Sequence, residues 1–112
     1  MKASNKAKKL IKKFEKYRND VYDDGYGNLT VGYGHKVESS DNLKLGDTIS
    51  KSRAEELFEA DIAEAESYVN KLPKIASLKQ CEFDAIISLV FNVGPEPVVD
   101  KNNDLYKALN KN

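Results

Sequence analysis

Between Tyr22 and His35 the chain reads Tyr-Asp-Asp-Gly-Tyr-Gly-Asn-Leu-Thr-Val-Gly-Tyr-Gly-His. This stretch holds four of the six glycines, three of the six tyrosines and the only histidine. Glycine at that density lets the backbone take positive φ and turn tightly. Leu29, Val31 and Tyr33 alternate with Thr30, Gly32 and Gly34, the period of a strand. The stretch therefore predicts a small, strongly bent β-hairpin or three-stranded sheet whose polar groups point into a cleft. Directly before it, Leu10-Ile11-Lys12-Lys13-Phe14-Glu15 reads as the end of a helix carrying one acid. An acid on a helix, followed by an acid and a hydroxyl on a hairpin, is a workable layout for a hydrolase.

The remaining pattern is helical. Ser4 can cap a helix over about residues 5–17, in which Ala7, Leu10, Ile11 and Phe14 fall at i, i+3, i+4 and i+7 and form one apolar stripe. Residues 36–49 read as loop, with Ser39-Ser40-Asp41-Asn42 and Gly46-Asp47 as turn signals. Ser50 or Ser52 caps a second helix to about Lys71, with Ala54, Leu57, Phe58, Ile62, Ala65 and Val69 as its core face. Pro73 breaks that helix, and Ser77-Leu78-Lys79-Gln80 is a capping-box pattern that opens a third one to about Val93. Ile86, Ile87, Leu89, Val90 and Phe91 make the third helix apolar on nearly every face, as in a buried central helix. Gly94 suits its C-terminal cap, Pro95 and Pro97 stop it, and a last short helix spans about Asn103 to Asn110.

Composition excludes several classes. At 112 residues the chain makes one domain with a modest core. A single cysteine, Cys81, allows no internal disulfide and reads as a buried thiol in the apolar run that follows it. No apolar stretch approaches membrane-spanning length, and Leu10-Ile11 is no signal-peptide core, so no export signal is read. One histidine and one cysteine give no zinc-type ligand cluster. Asp20-x-x-x-Asp24-Gly25 lacks the closing acid of a calcium loop, where Val31 stands. Gly25-x-Gly27 lacks a third glycine at Thr30, so there is no dinucleotide fingerprint. Net charge is zero, yet residues 1–18 hold eight basic side chains against Glu15 alone. That pattern reads as a solvated basic helix face, with attraction to an anionic wall or membrane as the sharper alternative.

Glu15, followed by Tyr22-x-Asp24-x-x-Gly27-x-x-Thr30-Val31-Gly32-Tyr33-Gly34-His35, resembles the phage-type lysozymes (endolysins, glycoside hydrolase family 24). Phe83-Asp84-Ala85 and Phe91-Asn92-Val93-Gly94 match the same family, so the resemblance covers most of residues 8–94. It implies an α+β, lysozyme-like fold: an N-terminal helix and small β-hairpin lobe (1–50), a connecting helix (51–72) and a shortened helical lobe (73–112), together one domain. It also implies a muramidase that needs no cofactor and cleaves the β-1,4 bond between N-acetylmuramic acid and N-acetylglucosamine in peptidoglycan. An endolysin of this kind waits in the host cytoplasm, reaches the cell wall through a holin, and causes lysis.

In that reading Glu15 is the proton donor, Asp24 the general base and Thr30 the second anchor of the attacking water, with inversion at the anomeric carbon. Apolar Ile11 and Phe14 would raise the pKa of Glu15, while Lys12, Lys16 and Arg18 would lower it. Local sequence leaves Asp20, Asp23 and Asp24 as rivals, each equally a turn former; the family pattern selects Asp24. His35, alone at the close of a glycine-rich hairpin, reads as structural rather than as a base, and by resemblance pairs with Asp61. Lys36 and Phe91 match positions that contact sugar, although Phe91 equally suits core packing.

The chain departs from the family after Gly94, where phage-type lysozymes continue with further helices and an arginine near the acid. Three expectations follow: a weak enzyme or a cleft completed by a second chain or self-association, an idle cell-wall-binding module derived from a lysozyme, or a shortened piece of a longer enzyme.

Overall fold

Ser4 starts the first helix by accepting a hydrogen bond from the Ala7 amide, 3.1 Å, which satisfies a donor that a helix start leaves without a partner. In the computed structural model, which describes residues 1–109, helix α1 spans Asn5–Phe14. Three strands follow, β1 (Arg18–Asp23), β2 (Leu29–Gly32) and β3 (His35–Lys36), then a 3-10 turn at Ser39–Asp41. Helix α2 covers Lys51–Val69, a second 3-10 turn Ile75–Ser77, and helix α3 Gln80–Val93. Two short helices close the described chain, α4 (Glu96–Val99) and α5 (Asp104–Leu109). The expected end of the last helix at Asn110 lies outside the described residues. A helix-rich chain with a small three-stranded antiparallel sheet makes the expected α+β, lysozyme-like class.

The chain forms two compact units, one of residues Leu10–Asp61, the other of Met1–Lys9 with the chain from Ile62 onward. Helices α1 and α2 each contribute to both. In the first unit the sheet order is β1-β2-β3, all antiparallel. Tyr22 faces Thr30, while Arg18 faces Gly32, so the register shifts between them; such an irregularity bends a strand. The outer edge of β1 is not left open. Val21 N–H donates to Asp47 O at 2.8 Å, Gly46 N–H to Val21 O at 3.0 Å and Ile49 N–H to Asn19 O at 2.8 Å. Part of the segment expected as plain loop thus acts as a partial fourth strand that covers the edge. Val21, Val31 and Leu57 are buried together, with Leu29, Val37, Leu43 and Ile49 packed around them. Full burial of a side chain of that size stabilises by roughly 1.5–3 kcal/mol.

In the other unit, Phe83, Ile86, Ile87 and Val90 form the buried stripe of α3. The spacing is that of one helix face, so α3 is not wrapped on every side: Val93 is exposed, and Leu89 and Phe91 are half-buried. Cys81 sits two residues before Phe83, hence off that stripe, and its thiol is exposed rather than buried. The α3 start also differs from expectation. Ser77 closes the 3-10 turn by donating to Lys74 O at 2.8 Å, and the first turn is capped instead by Glu82, whose Oε1 accepts the Lys79 amide at 2.8 Å. Asp84 ties the N-terminal segment to α3, accepting from the Ser4 amide at 3.0 Å and the Ser4 hydroxyl at 2.7 Å.

Two further expectations change. Helix α1 stops at Phe14 because Arg18 already lies in a strand paired with Gly32. Its apolar stripe is also narrower: Ala7 and Ile11 are buried, while Leu10 and Phe14 are exposed, Phe14 at 81 %.

Candidate active site

The helix that carries Glu15 ends one residue before it, but the Glu15 amide still bonds to Ile11 O at 2.9 Å, so the side chain leaves from the last turn. Its carboxylate rests against Gly34, in the two-residue connection between β2 and β3. A Cβ at Gly34 would overlap the Glu15 carboxylate, standing 2.9 Å from its Cδ, and the residue has φ +72°. Both facts demand glycine there. Burial raises the pKa of Glu15 above the ordinary carboxyl value, because the charged form loses hydration. Phe14, with most of its surface in water, is not the neighbour that shields it.

Asp24 stands at the mouth of the turn that joins β1 to β2. Its Oδ1 accepts the Tyr26 amide at 2.8 Å and the Asn28 amide at 3.2 Å, and its Oδ2 accepts the Asn28 side-chain amide at 3.3 Å. These bonds favour the ionised form; with the Tyr26 amide as the largest contributor and the Lys36 charge adding to it, they hold the Asp24 pKa below the ordinary value. The rival acids are engaged elsewhere. Asp23 Oδ1 accepts the Gly25 amide at 2.8 Å, and Asp20 takes two bonds from Arg18, 3.0 and 2.7 Å.

Thr30 is buried at the centre of the sheet, opposite Tyr22 on one side and Lys36 on the other. Residues directly opposite in neighbouring strands share a face, so Thr30 and Lys36 present together, and the charge of Lys36 reaches Asp24. Phe91 is half-buried on α3, in the other compact unit.

His35 is buried and held at both ring nitrogens. Nδ1 lies 2.8 Å from Asp61 Oδ2, and Nε2 lies 2.8 Å from Asp41 Oδ2. Burial alone would lower its pKa, but the bonds to Asp61 and Asp41 outweigh that and bring it up to about 9. Such a histidine is a fixed cation at neutral pH and a poor general base. Asp41 is the residue that sequence reasoning missed. It falls in the Ser-Ser-Asp turn signal six residues after His35, and its Oδ2 also accepts the Glu38 amide at 2.8 Å. Burial pushes the Asp41 carboxyl up, and the Glu38 amide and His35 together bring it below the ordinary value. Among the described residues no group of three or more His, Cys, Asp or Glu side chains is placed to hold a metal ion.

Comparison with known proteins places the chain in a family. The model of the phage lysozyme family matches residues 12–112. An endolysin of Acyrthosiphon pisum secondary endosymbiont phage 1 is 40 % identical over 94 residues, which are 84 % of this chain and 61 % of that one. The solved endolysin of Escherichia coli O157:H7 phage FAHEc1 superposes with a TM-score of 0.77 at 34 % identity, over 89 % of this chain and 63 % of its own. The muramidase domain of SpmX from Asticaccaulis excentricus gives a TM-score of 0.72 at 31 % identity, over 87 % and 63 %. The chain thus spans about three fifths of the length of these relatives. With a family match over most of its length, the chain belongs to the phage lysozyme family.

Proposed function

We propose that this protein is a peptidoglycan hydrolase of the endolysin type, a muramidase that cleaves the β-1,4 bond between N-acetylmuramic acid and N-acetylglucosamine and so lyses the bacterial cell wall. The observation that carries the reading is the opposite treatment of two carboxyls. Burial favours the protonated form of Glu15, and backbone amides favour the ionised form of Asp24. Glycoside hydrolysis needs that division: an acid to protonate the leaving oxygen and a carboxylate to activate water. Glu15 donates the proton. Asp24 takes one from the attacking water, and Thr30 anchors that water. For inversion, roughly 6.5–9.5 Å must separate the two carboxyls so that water fits.

In this reading Lys36, whose charge reaches Asp24, contacts sugar, Phe91 on α3 is read separately as a sugar contact, and the His35–Asp61 pair holds the sheet to α2. The whole is one lysozyme-like domain, with a sheet lobe, a connecting helix and a helical lobe. No helix among the described residues is long and apolar enough to cross a membrane. Holin-dependent passage to the wall and self-association are the partner relations that go with the proposal. The idle wall-binding alternative has no observation of its own in its favour.

The test is clearance of purified peptidoglycan by the parent and by Glu15→Gln. General acid catalysis contributes about 10²–10⁴-fold, and glutamine cannot donate the proton. We expect a loss of that size with an unchanged circular dichroism spectrum. Clearance at the parent rate would remove Glu15 from the chemistry.

A further inference from the structure

One turn before Glu15, Lys12 reaches from α1 to Glu55 on α2, and its ammonium donates to Glu55 Oε2. The other oxygen of the same carboxylate, Oε1, accepts the Tyr33 hydroxyl at 3.2 Å. Lys51 in turn donates to the Tyr33 hydroxyl. Rings fill the space between these groups. Lys12 Nζ lies 4.9 Å from the centre of the Phe58 ring and 5.2 Å from that of Tyr33. Lys51 Nζ lies 4.1 Å from the Tyr17 ring, and the Tyr17 and Tyr33 rings meet at a tilt of 45° with 5.1 Å between centres. The groups facing Glu55 are therefore Lys12 from α1, Tyr33 from the β2–β3 connection and Lys51 from its own helix.

Two things fix the Glu15 side chain: the turn of α1 from which it leaves, and Gly34, against which its carboxylate rests. Lys12 belongs to the first, three residues upstream. Tyr33 belongs to the second, as the residue before Gly34. Both end on Glu55. We propose that Glu55 is the positioning residue of the catalytic acid, one carboxylate whose two oxygens hold the α1 end through Lys12 and the Tyr33–Gly34 turn through the Tyr33 hydroxyl. The inference rests on the reading of Glu15 as the acid.

Its consequence differs from that of an ordinary surface ion pair. Glu55 is partly exposed, and a pair in that setting contributes little to stability. A displacement of about 1 Å at a reacting group, by contrast, costs on the order of 10²-fold in rate. Glu55 also occupies the Lys12 ammonium. Burial is the cause that raises the Glu15 pKa, and a released Lys12 nearby would favour the charged carboxylate and work against it.

The experiment compares the parent with Glu55→Ala, Tyr33→Phe and Glu15→Gln on purified peptidoglycan, with kcat, KM, pH profile and thermal midpoint for each. Tyr33→Phe removes one hydroxyl and keeps the packing, so it remains informative if Glu55→Ala folds poorly. We expect kcat to fall about 10–10²-fold in Glu55→Ala and by a smaller factor in Tyr33→Phe. KM should stay near the parent value, and the alkaline limb of the profile in Glu55→Ala should move to lower pH. A parent-like kcat and profile in both variants would overturn the proposal, as would a loss of activity that only tracks the loss of folded protein. A ¹³C titration of the Glu15 carboxyl in Glu55→Ala reads positioning without any activity, and an unmoved Glu15 pKa also counts against it. If Glu15→Gln stays active, the reading of the acid fails; if it is inactive while Glu55→Ala behaves as the parent, only the positioning role fails.

Discussion

The end of α1 and the turn from Asp24 to Asn28 lie in the same compact unit, and each presents one carboxyl, yet they treat it in opposite ways. Glu15 sits half-buried against the backbone of a glycine, where there is no room for another atom. Asp24 is caught in a glycine-rich turn whose amides point at its oxygens. The first setting withholds solvation from a negative charge, and the second supplies partners for one. Acid and base character is therefore set by what surrounds two chemically similar side chains, and not by the side chains themselves.

Glycine substitutions break this contrast most strongly. Gly34 and Gly27 both have positive φ, +72° and +85°, but an added Cβ meets Glu15 at Gly34 and nothing within 4 Å at Gly27. Alanine at either site costs backbone strain on the order of 1 kcal/mol. Only Gly34→Ala also pushes the Glu15 carboxyl aside, and if Glu15 is the proposed acid it should lose about 10²-fold in peptidoglycan clearance. Gly27→Ala should lose stability with a far smaller change in rate per folded molecule. Equal rate losses in the two variants, each corrected for folded fraction by circular dichroism, would show that Gly34 only forms a turn.

A smaller effect, visible in stability rather than rate, sharpens the contrast with a third site. His35 has a folded pKa of about 9 against an ordinary value of 6.5. Its contribution is complete below pH 6.5 and is lost as pH rises through 9, with a size on the order of 3 kcal/mol. Asp41 has a lowered pKa, so its share is present above the ordinary carboxyl range and is lost as pH falls through the lowered value. Urea unfolding of the parent should show stability declining from pH 6.5 to 9. The slope should weaken in Asp41→Asn and again when Asp61→Asn is added. An unchanged slope in the double variant would mean that the two carboxylates do not hold the His35 proton.

What the sequence revealed was what is local or patterned in chain order. The hairpin followed from glycine and alternation between Leu29 and Tyr33, and α2 from six apolar residues that are all buried. The proposed site residues Glu15, Asp24 and Thr30 stood out through their match to the family pattern, since local sequence left Asp20 and Asp23 as rivals of Asp24. Apart from the His35–Asp61 pair, which the family resemblance supplied, contacts between distant positions left no mark. Lys12 and Glu55 are 43 residues apart, and Ser4 and Asp84 are 80 apart; nothing in either segment announces the other. Asp41 was visible as a turn former but not as a partner of His35, because a 3-10 turn had to carry it back to the ring. Cys81 was misread for a related reason: an apolar run suggests burial, while the helix period decides which side of the run is buried. At Ser77 the expected capping pattern did not form, because the Ser77 hydroxyl bonds back to Lys74 O, and the Glu82 carboxylate, three residues after Lys79, completed the bond that set the helix start.

The central claim is that the fold separates the proton affinities of Glu15 and Asp24. Its most direct test is a ¹³C-detected NMR titration of both side-chain carboxyls in the free protein, which needs neither substrate nor turnover. The account predicts Glu15 above the ordinary glutamate value, Asp24 below the ordinary aspartate value, and a gap that narrows in Gly34→Ala. Two carboxyls titrating at their ordinary values, or Asp24 above Glu15, would contradict it.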